Sequence, residues 1–152
     1  MGPAIKGNPL QIFGYLLVIS YLIGEFLIPK YSLFTILNLI GVIGLVISLV
    51  LFFSSLNLFN SYKENPKPQT YTKRIIKTGI FAYGRNPMYM AFVIFHFSMF
   101  LTFENVAYFL SSLGLFFWIN SSVIPKEEKY LLETFGDEYQ RYLVAVKKWM
   151  FF

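Results

Sequence analysis

Four apolar stretches of near-membrane length leave this chain few folds to choose from. They run from Leu10 to Ile28, Leu33 to Leu58, Met88 to Phe103 and Val106 to Ile124. About 20 apolar residues carry a helix across the hydrocarbon core of a bilayer. Hydrocarbon offers no partner to a free N–H or C=O, so such segments fold as helices. The third is short and begins abruptly after Pro87. Apolar residues make up 56% of the 152 and charged residues 14%, against about 25% charged in soluble domains. The expected fold is all-α: a single-domain integral membrane bundle of about four transmembrane helices with an amphipathic C-terminal helical tail. Within residues 1–152, residues 1–60 hold two structural spans and 61–152 a polar loop, a helical hairpin and the tail. A cleavable signal peptide is the other reading of the first stretch. No small-residue cleavage site follows it, and Glu25 interrupts its end.

The basic residues orient the chain. Lys6 precedes the first span, Lys63, Lys67, Lys73, Arg74, Lys77 and Arg85 lie between the second and third, and Lys126, Lys129, Arg141, Lys147 and Lys148 follow the fourth. Lys30 alone falls in the opposite loops, so twelve of thirteen basic residues are inside if both termini are cytoplasmic. The positive-inside rule favours that topology. It also accounts for the net charge of +5 without a nucleic-acid partner, since the positive residues form no separate basic module. With no cysteine and one histidine, His96, neither a thiolate nor a His-rich metal site is available.

The first two spans read as structural. Gly41, Gly44 and Ser48 give the second a small-residue packing face, and Asn38 can bond across helices. Glu25 reaches the outer interface by snorkelling, while His96 sits mid-span as a packed neutral ring. Chemistry concentrates instead in two polar clusters on the cytoplasmic side. One is Gly79-Ile80-Phe81-Ala82-Tyr83-Gly84-Arg85-Asn86-Pro87-Met88-Tyr89, just before the third span. The other is Pro125-Lys126-Glu127-Glu128-Lys129, just after the fourth. Ionisable groups at the mouth of a helix pair are costly and mark a functional pocket.

Pro87 suits the first turn of a helix, which makes Asn86 its N-cap. The free N–H groups and positive dipole end there can receive a carboxylate beside Arg85. Between Ser61 and Thr78, Asn65-Pro66-Lys67-Pro68 excludes helix, and the basic residues can grip anionic headgroups. Beyond the fourth span, Tyr130, Leu131, Leu132 and Phe135 share one helix face, Gly136 stops that helix, and a second amphipathic helix follows. Adjacent glutamates do not share a face, so one of Glu127 and Glu128 is expected to point inward and the other to be solvated. No P-loop, nucleophile elbow or G-x-G-x-x-G is present.

These motifs carry a resemblance. Lys77-Thr78-Gly79-Ile80-Phe81-Ala82-Tyr83-Gly84-Arg85-Asn86-Pro87-Met88-Tyr89, a hairpin, then Glu127-Glu128-Lys129-Tyr130-Leu131, Phe135-Gly136-Asp137-Glu138-Tyr139 and Tyr142 resemble the isoprenylcysteine carboxyl methyltransferase family and its bacterial phospholipid-methyltransferase-like relatives. The match covers about residues 65 to 150. It implies an integral enzyme of the bacterial inner membrane that uses S-adenosylmethionine without a dinucleotide-binding domain. Its cofactor pocket would lie between the last two spans and the tail. Residue by residue, the resemblance implies cofactor contacts from Lys73, Arg74, Ile75, Ile76, Phe81, Asn86, Pro87, Met88, Tyr89 and Glu127, with Arg85, Asn86 and Tyr89 at the chemistry. Asn86 stands where the more familiar members have histidine. Val123 stands where prenylcysteine enzymes have a substrate-associated arginine, which counts against a prenylcysteine carboxylate.

The chemistry of the residues fits that mapping. Arg85 or Lys73 with the helix start at Asn86 could take a carboxylate, and Glu127 an ammonium. Phe81 and Tyr89 offer faces to a sulfonium or adenine, worth roughly 0.5–2 kcal/mol as cation–π contact. An ionised carboxylate or thiolate acceptor needs no base. An amine does, with Glu128 or Tyr89 as candidates. The expected activity is in-line methyl transfer to an amphiphilic or small membrane-partitioning acceptor that enters from the bilayer. A membrane reductase of the sterol-reductase type and a non-catalytic lipid-binding scaffold are the alternatives.

Overall fold

A computed structural model describes residues 2–28 and 32–150. Lys30, the basic residue assigned to the outer loops, lies outside them. The described residues form helices and loops in the order α1 (Pro9–Phe26), α2 (Thr35–Ser61), a 3₁₀ turn (Gly79–Ala82), α3 (Pro87–Phe103), α4 (Val106–Trp118), a π-helical turn (Ile119–Val123), α5 (Ile124–Phe135) and α6 (Asp137–Ala145). α1, α2 and the continuous α4–α5 rod are long and apolar enough to cross a membrane, and α3 is a shorter apolar helix of 17 residues. At about 1.5 Å per residue, α3 spans about 25 Å, the low end of what crosses a bilayer.

α3 is the centre of the bundle, packed on α2 and on α4, while α1 lies against α4. Small residues set the closest approach. A Cβ on Gly44 would stand 2.2 Å from Ser98 Oγ, and one on Gly41 2.5 Å from Thr102 Oγ1, so both glycines let α2 touch α3. In hydrocarbon, such close backbone approach replaces the hydrophobic drive that holds soluble helices together. The partner of Asn38 is now defined: its Nδ2 donates to Leu101 O at 2.9 Å and Glu104 Oε1 at 3.2 Å, which ties α2 to the end of α3. α1 is held to α4 by a reciprocal pair, Ser20 Oγ to Ala107 O and Asn105 Nδ2 to Ser20 O. His96 is fully buried, with Nδ1 3.2 Å from Phe92 O and Phe13 set edge-on against its ring. Outward faces stay apolar, as Val46, Val50 and Phe53 on α2 show at 56–60% exposure. These faces are solvated by lipid.

The fourth span does not stop at Ile124 as the apolar pattern implied. The helix runs on through Pro125 to Phe135, crossing one π turn in which Ile124 N–H bonds Ile119 O. Proline lacks the N–H for, and clashes with, the carbonyl four residues back. The wider turn absorbs that conflict, so the rod continues and lifts Glu127 beyond the apolar span. Gly136, at φ +51°, then ends α5 and lets α6 fold back. As the sequence pattern implied, Tyr130, Leu131, Leu132 and Phe135 share partial burial.

Candidate functional site

At one end of the bundle the α2–α3 loop, the start of α3, α5 and α6 enclose a cavity of about 140 Å³. The loop reaches it through a tight helix end. Lys63 takes the left-handed conformation (φ 55°), Glu64 N–H bonds Phe59 O, and Glu64 is carried inward to 8% exposure. The segment after it then passes along the cavity as Arg74, Ile75 and Ile76. Gly79, also left-handed at φ 58°, starts the 3₁₀ turn that buries Phe81. Phe81 meets Phe59 edge-on at 5.7 Å, and its carbonyl accepts from Tyr142 Oη at 2.6 Å.

Two side-chain pairs join the clusters that the sequence separates. Tyr89 Oη donates to Glu127 Oε1 at 2.8 Å across 38 residues. Arg85 meets Glu128 Oε1 through Nη2 at 2.8 Å and Nε at 3.2 Å, a partly buried pair with side-chain exposures of 10% and 20%. The expectation that Glu128 is solvated is therefore corrected. Neighbouring helical positions lie about 100° apart, and the cavity wraps far enough around α5 for both to meet partners. One meets Tyr89 on α3 and the other Arg85, just before α3.

Arg85 does more than pair with Glu128. Its Nη1 donates to Leu143 O at 3.1 Å and to Val146 O, and its backbone N–H bonds Lys147 O at 3.0 Å. Asn86 turns the same way. Its side chain makes no capping bond to α3 and donates instead to Lys148 O at 3.0 Å. The N-cap assignment is thus corrected in its chemistry: Asn86 occupies the position but spends its amide on the tail. Gly84 permits this docking, since a Cβ there would stand 2.9 Å from Met150 N. Trp149 completes the seal, 4% exposed, with Nε1 3.3 Å from Asn120 Oδ1.

Arg85 and nine of the ten residues expected at a cofactor line this cavity: Arg74, Ile75, Ile76, Phe81, Asn86, Pro87, Met88, Tyr89 and Glu127. Lys73 does not. It is exposed, and its backbone N–H bonds Glu64 Oε2 at 3.2 Å. Val123 is fully buried in the core and does not line the cavity. Sequence reasoning missed Glu64, Tyr139 and Tyr142, all in the lining. Glu64 had one signal, as the sole acid between Ser61 and Thr78. The tyrosines had one as well, since both belong to the motif that carries the resemblance, but no site role was drawn from it.

Electrostatics separate the carboxylates. Glu128 has Arg85, and Glu64 Oε1 has Arg74 Nε at 3.6 Å. Among the described residues Glu127 has no cation and is held by a hydroxyl. Past the apolar part of the rod, burial raises its pKa from 4.5 to about 7; the Tyr89 bond opposes that rise and the Glu128 charge adds to it. Burial likewise raises the Tyr139 and Tyr142 phenols, which stay neutral. A second, apolar cavity of about 40 Å³ adjoins the first, sharing Pro66, Lys67, Pro68, Met88 and Tyr89, and opens along Phe52, Leu56 and Phe92.

Among the described residues no group of three or more His, Cys, Asp and Glu side chains is placed to hold a metal ion. Compared with known proteins, the chain matches no curated sequence and no solved structure. The family model described as Phospholipid methyltransferase matches residues 11–138. That match takes in both clusters and nearly all of the four apolar helices, and it favours a methyltransferase over the reductase and scaffold readings. The chain belongs to the Phospholipid methyltransferase family and is an integral membrane methyltransferase.

Proposed function

We propose that the cavity at the α3–α5 junction binds S-adenosylmethionine and that the methyl acceptor is an amphiphile arriving from the bilayer. The observation that carries this reading is Glu127, a carboxyl without a cationic partner, anchored by Tyr89 in a pocket walled by Phe81, Ile75 and Ile76. Its donor set matches a ligand with an ammonium, a sulfonium and an aromatic base. Bound there, S-adenosylmethionine supplies a methyl group activated by positive sulfur.

The chain's own residues then have distinct roles. Glu127 receives the ammonium, and the Tyr89 hydroxyl fixes its orientation. The aromatic faces of Phe81 and Tyr89 favour positive charge. Arg85 is a positioning residue, because its donors hold Glu128 and the tail that closes the pocket. The uncapped start of α3 at Pro87 leaves N–H groups that suit a carboxylate. The adjoining apolar cavity accommodates part of an acceptor's hydrocarbon at Met88 and Tyr89. Orientation and exclusion of water provide most of the rate enhancement for such a displacement. With both termini cytoplasmic, as the basic residues favour, the pocket faces the cytoplasm.

The test is ligand-induced thermal stabilisation of the detergent-purified protein by S-adenosylhomocysteine, beside Glu127→Ala. A ligand that binds only the folded state stabilises it by mass action. A saturable rise in the wild type, lost or strongly weakened in Glu127→Ala, is expected. No rise at millimolar ligand in a folded wild-type sample would end the cofactor reading.

A further inference from the structure

Glu64 is the buried ionisable group that the roles above leave unused. Its side chain is 4% exposed and lines the cavity, yet its two oxygens differ. Oε2 accepts the backbone N–H of Lys73 at 3.2 Å. Oε1 has no hydrogen bond, and the Arg74 guanidinium beside it stays 3.6 Å away with its own side chain 58% exposed. A buried acceptor without a donor is costly, and native structures rarely tolerate one unless something else completes it. The chain also accepts a non-glycine left-handed residue, Lys63, to bring this carboxylate inward.

We propose that Glu64 is a ligand-binding residue, with Oε1 accepting hydrogen bonds from the vicinal ribose hydroxyls of the adenosyl cofactor. This inference rests on the cofactor reading above and adds a contact to it. Arg74 already balances the charge of Glu64, so a neutral donor completes its oxygen better than a second cation does. Glu127, which lacks a cation, takes the ammonium. The surroundings of Glu64 suit a nucleoside: its backbone bonds Phe59, whose ring meets Phe81, and Ile75 and Ile76 follow two and three residues after the Lys73 amide. A carboxylate flanked by apolar walls is the arrangement by which proteins hold ribose hydroxyls.

The experiment is calorimetric titration of wild type and Glu64→Gln, in detergent, with S-adenosylhomocysteine and with its 2′,3′-dideoxy analogue. Melting without ligand checks that Glu64→Gln is folded. Glutamine keeps the shape and one acceptor but offers an amide N–H₂ in place of the second oxygen. In the wild type, loss of the hydroxyls should weaken binding about 10- to 100-fold, the range for a hydrogen bond to a charged group. In Glu64→Gln that difference should shrink to about 3-fold or less, because S-adenosylhomocysteine itself binds more weakly. Equal weakening of both ligands in Glu64→Gln overturns the inference, leaving Glu64 to shape the loop. A wild type that binds both ligands alike overturns it too, with the cofactor reading intact. A folded wild type that binds neither removes both.

Discussion

Glu127 gives the sharpest prediction, because its ionisation is coupled both to stability and to ligand binding. Burial raises its folded pKa to about 7 from 4.5. Between those values the folded protein holds a proton that the unfolded chain has released, so stability falls as pH rises through that window. That rise in pKa corresponds to on the order of 3 kcal/mol. Access of water to the cavity reduces that figure. Glu127→Gln removes this slope, and its melting temperature should fall less than the wild type's between pH 4.5 and 7. Ligand binding runs the other way, because an ammonium needs the ionised carboxylate. With a pKa about 7, roughly a tenth is ionised at pH 6 and nine tenths at pH 8. The dissociation constant of S-adenosylhomocysteine should therefore tighten about tenfold over that range, with net proton release at pH 7 measurable by calorimetry in buffers of different ionisation enthalpy. Glu127→Gln should bind about 10- to 100-fold more weakly at pH 8 and lose that pH dependence. A wild type whose affinity is flat from pH 6 to 8, or a Glu127→Gln protein that keeps the wild-type profile, would refute the reasoning.

Three further outcomes follow from the same geometry. Tyr89→Phe removes the hydroxyl that favours the ionised form of Glu127, so the midpoint of the affinity–pH curve should move upward, read by the same titrations; an unmoved midpoint counts against the pair. Arg85→Ala strands Glu128 and frees the tail carbonyls, which should cost about 3–5 kcal/mol and speed proteolysis of the segment beyond Ala145, whereas wild-type cleavage rates would contradict the clamp. Gly84→Ala places a methyl 2.9 Å from Met150 N, so the tail must move. The expected result is a lower melting temperature and a more exposed Trp149, seen as a red shift in its fluorescence.

The all-helical membrane fold was legible because hydrocarbon admits little else, and Gly41 and Gly44 were legible as a close-packing face of α2, though not its partner α3. The gathering of the two clusters was legible as well: Arg74 to Ile76, Phe81, Arg85 to Tyr89 and Glu127 line one cavity, despite the distance between them in the chain. What failed was direction. Asn86 sits where an N-cap belongs, but its amide bonds Lys148, 62 positions away. Glu128 was the glutamate left to solvent, yet Arg85, which also bonds the carbonyls of the returning tail, pairs with it. Glu64 looked like one loop residue among many until the chain reversal at Lys63 turned it inward.

By itself, then, the sequence determined the solvent, the helices and the residues that gather at one end of the bundle. Each follows from local, additive terms: hydropathy over a span, proline and glycine positions, and charge next to apolar runs. Only the tertiary structure decided which carboxylate meets which partner, with Glu127 on Tyr89, Glu128 on Arg85 and Glu64 on the Lys73 amide. The physical reason is that hydrogen bonds act over about 3 Å. The partners of these carboxylates lie up to 43 residues away, and only the packing of α3, the rod through Pro125 and the folded-back tail brings them within reach.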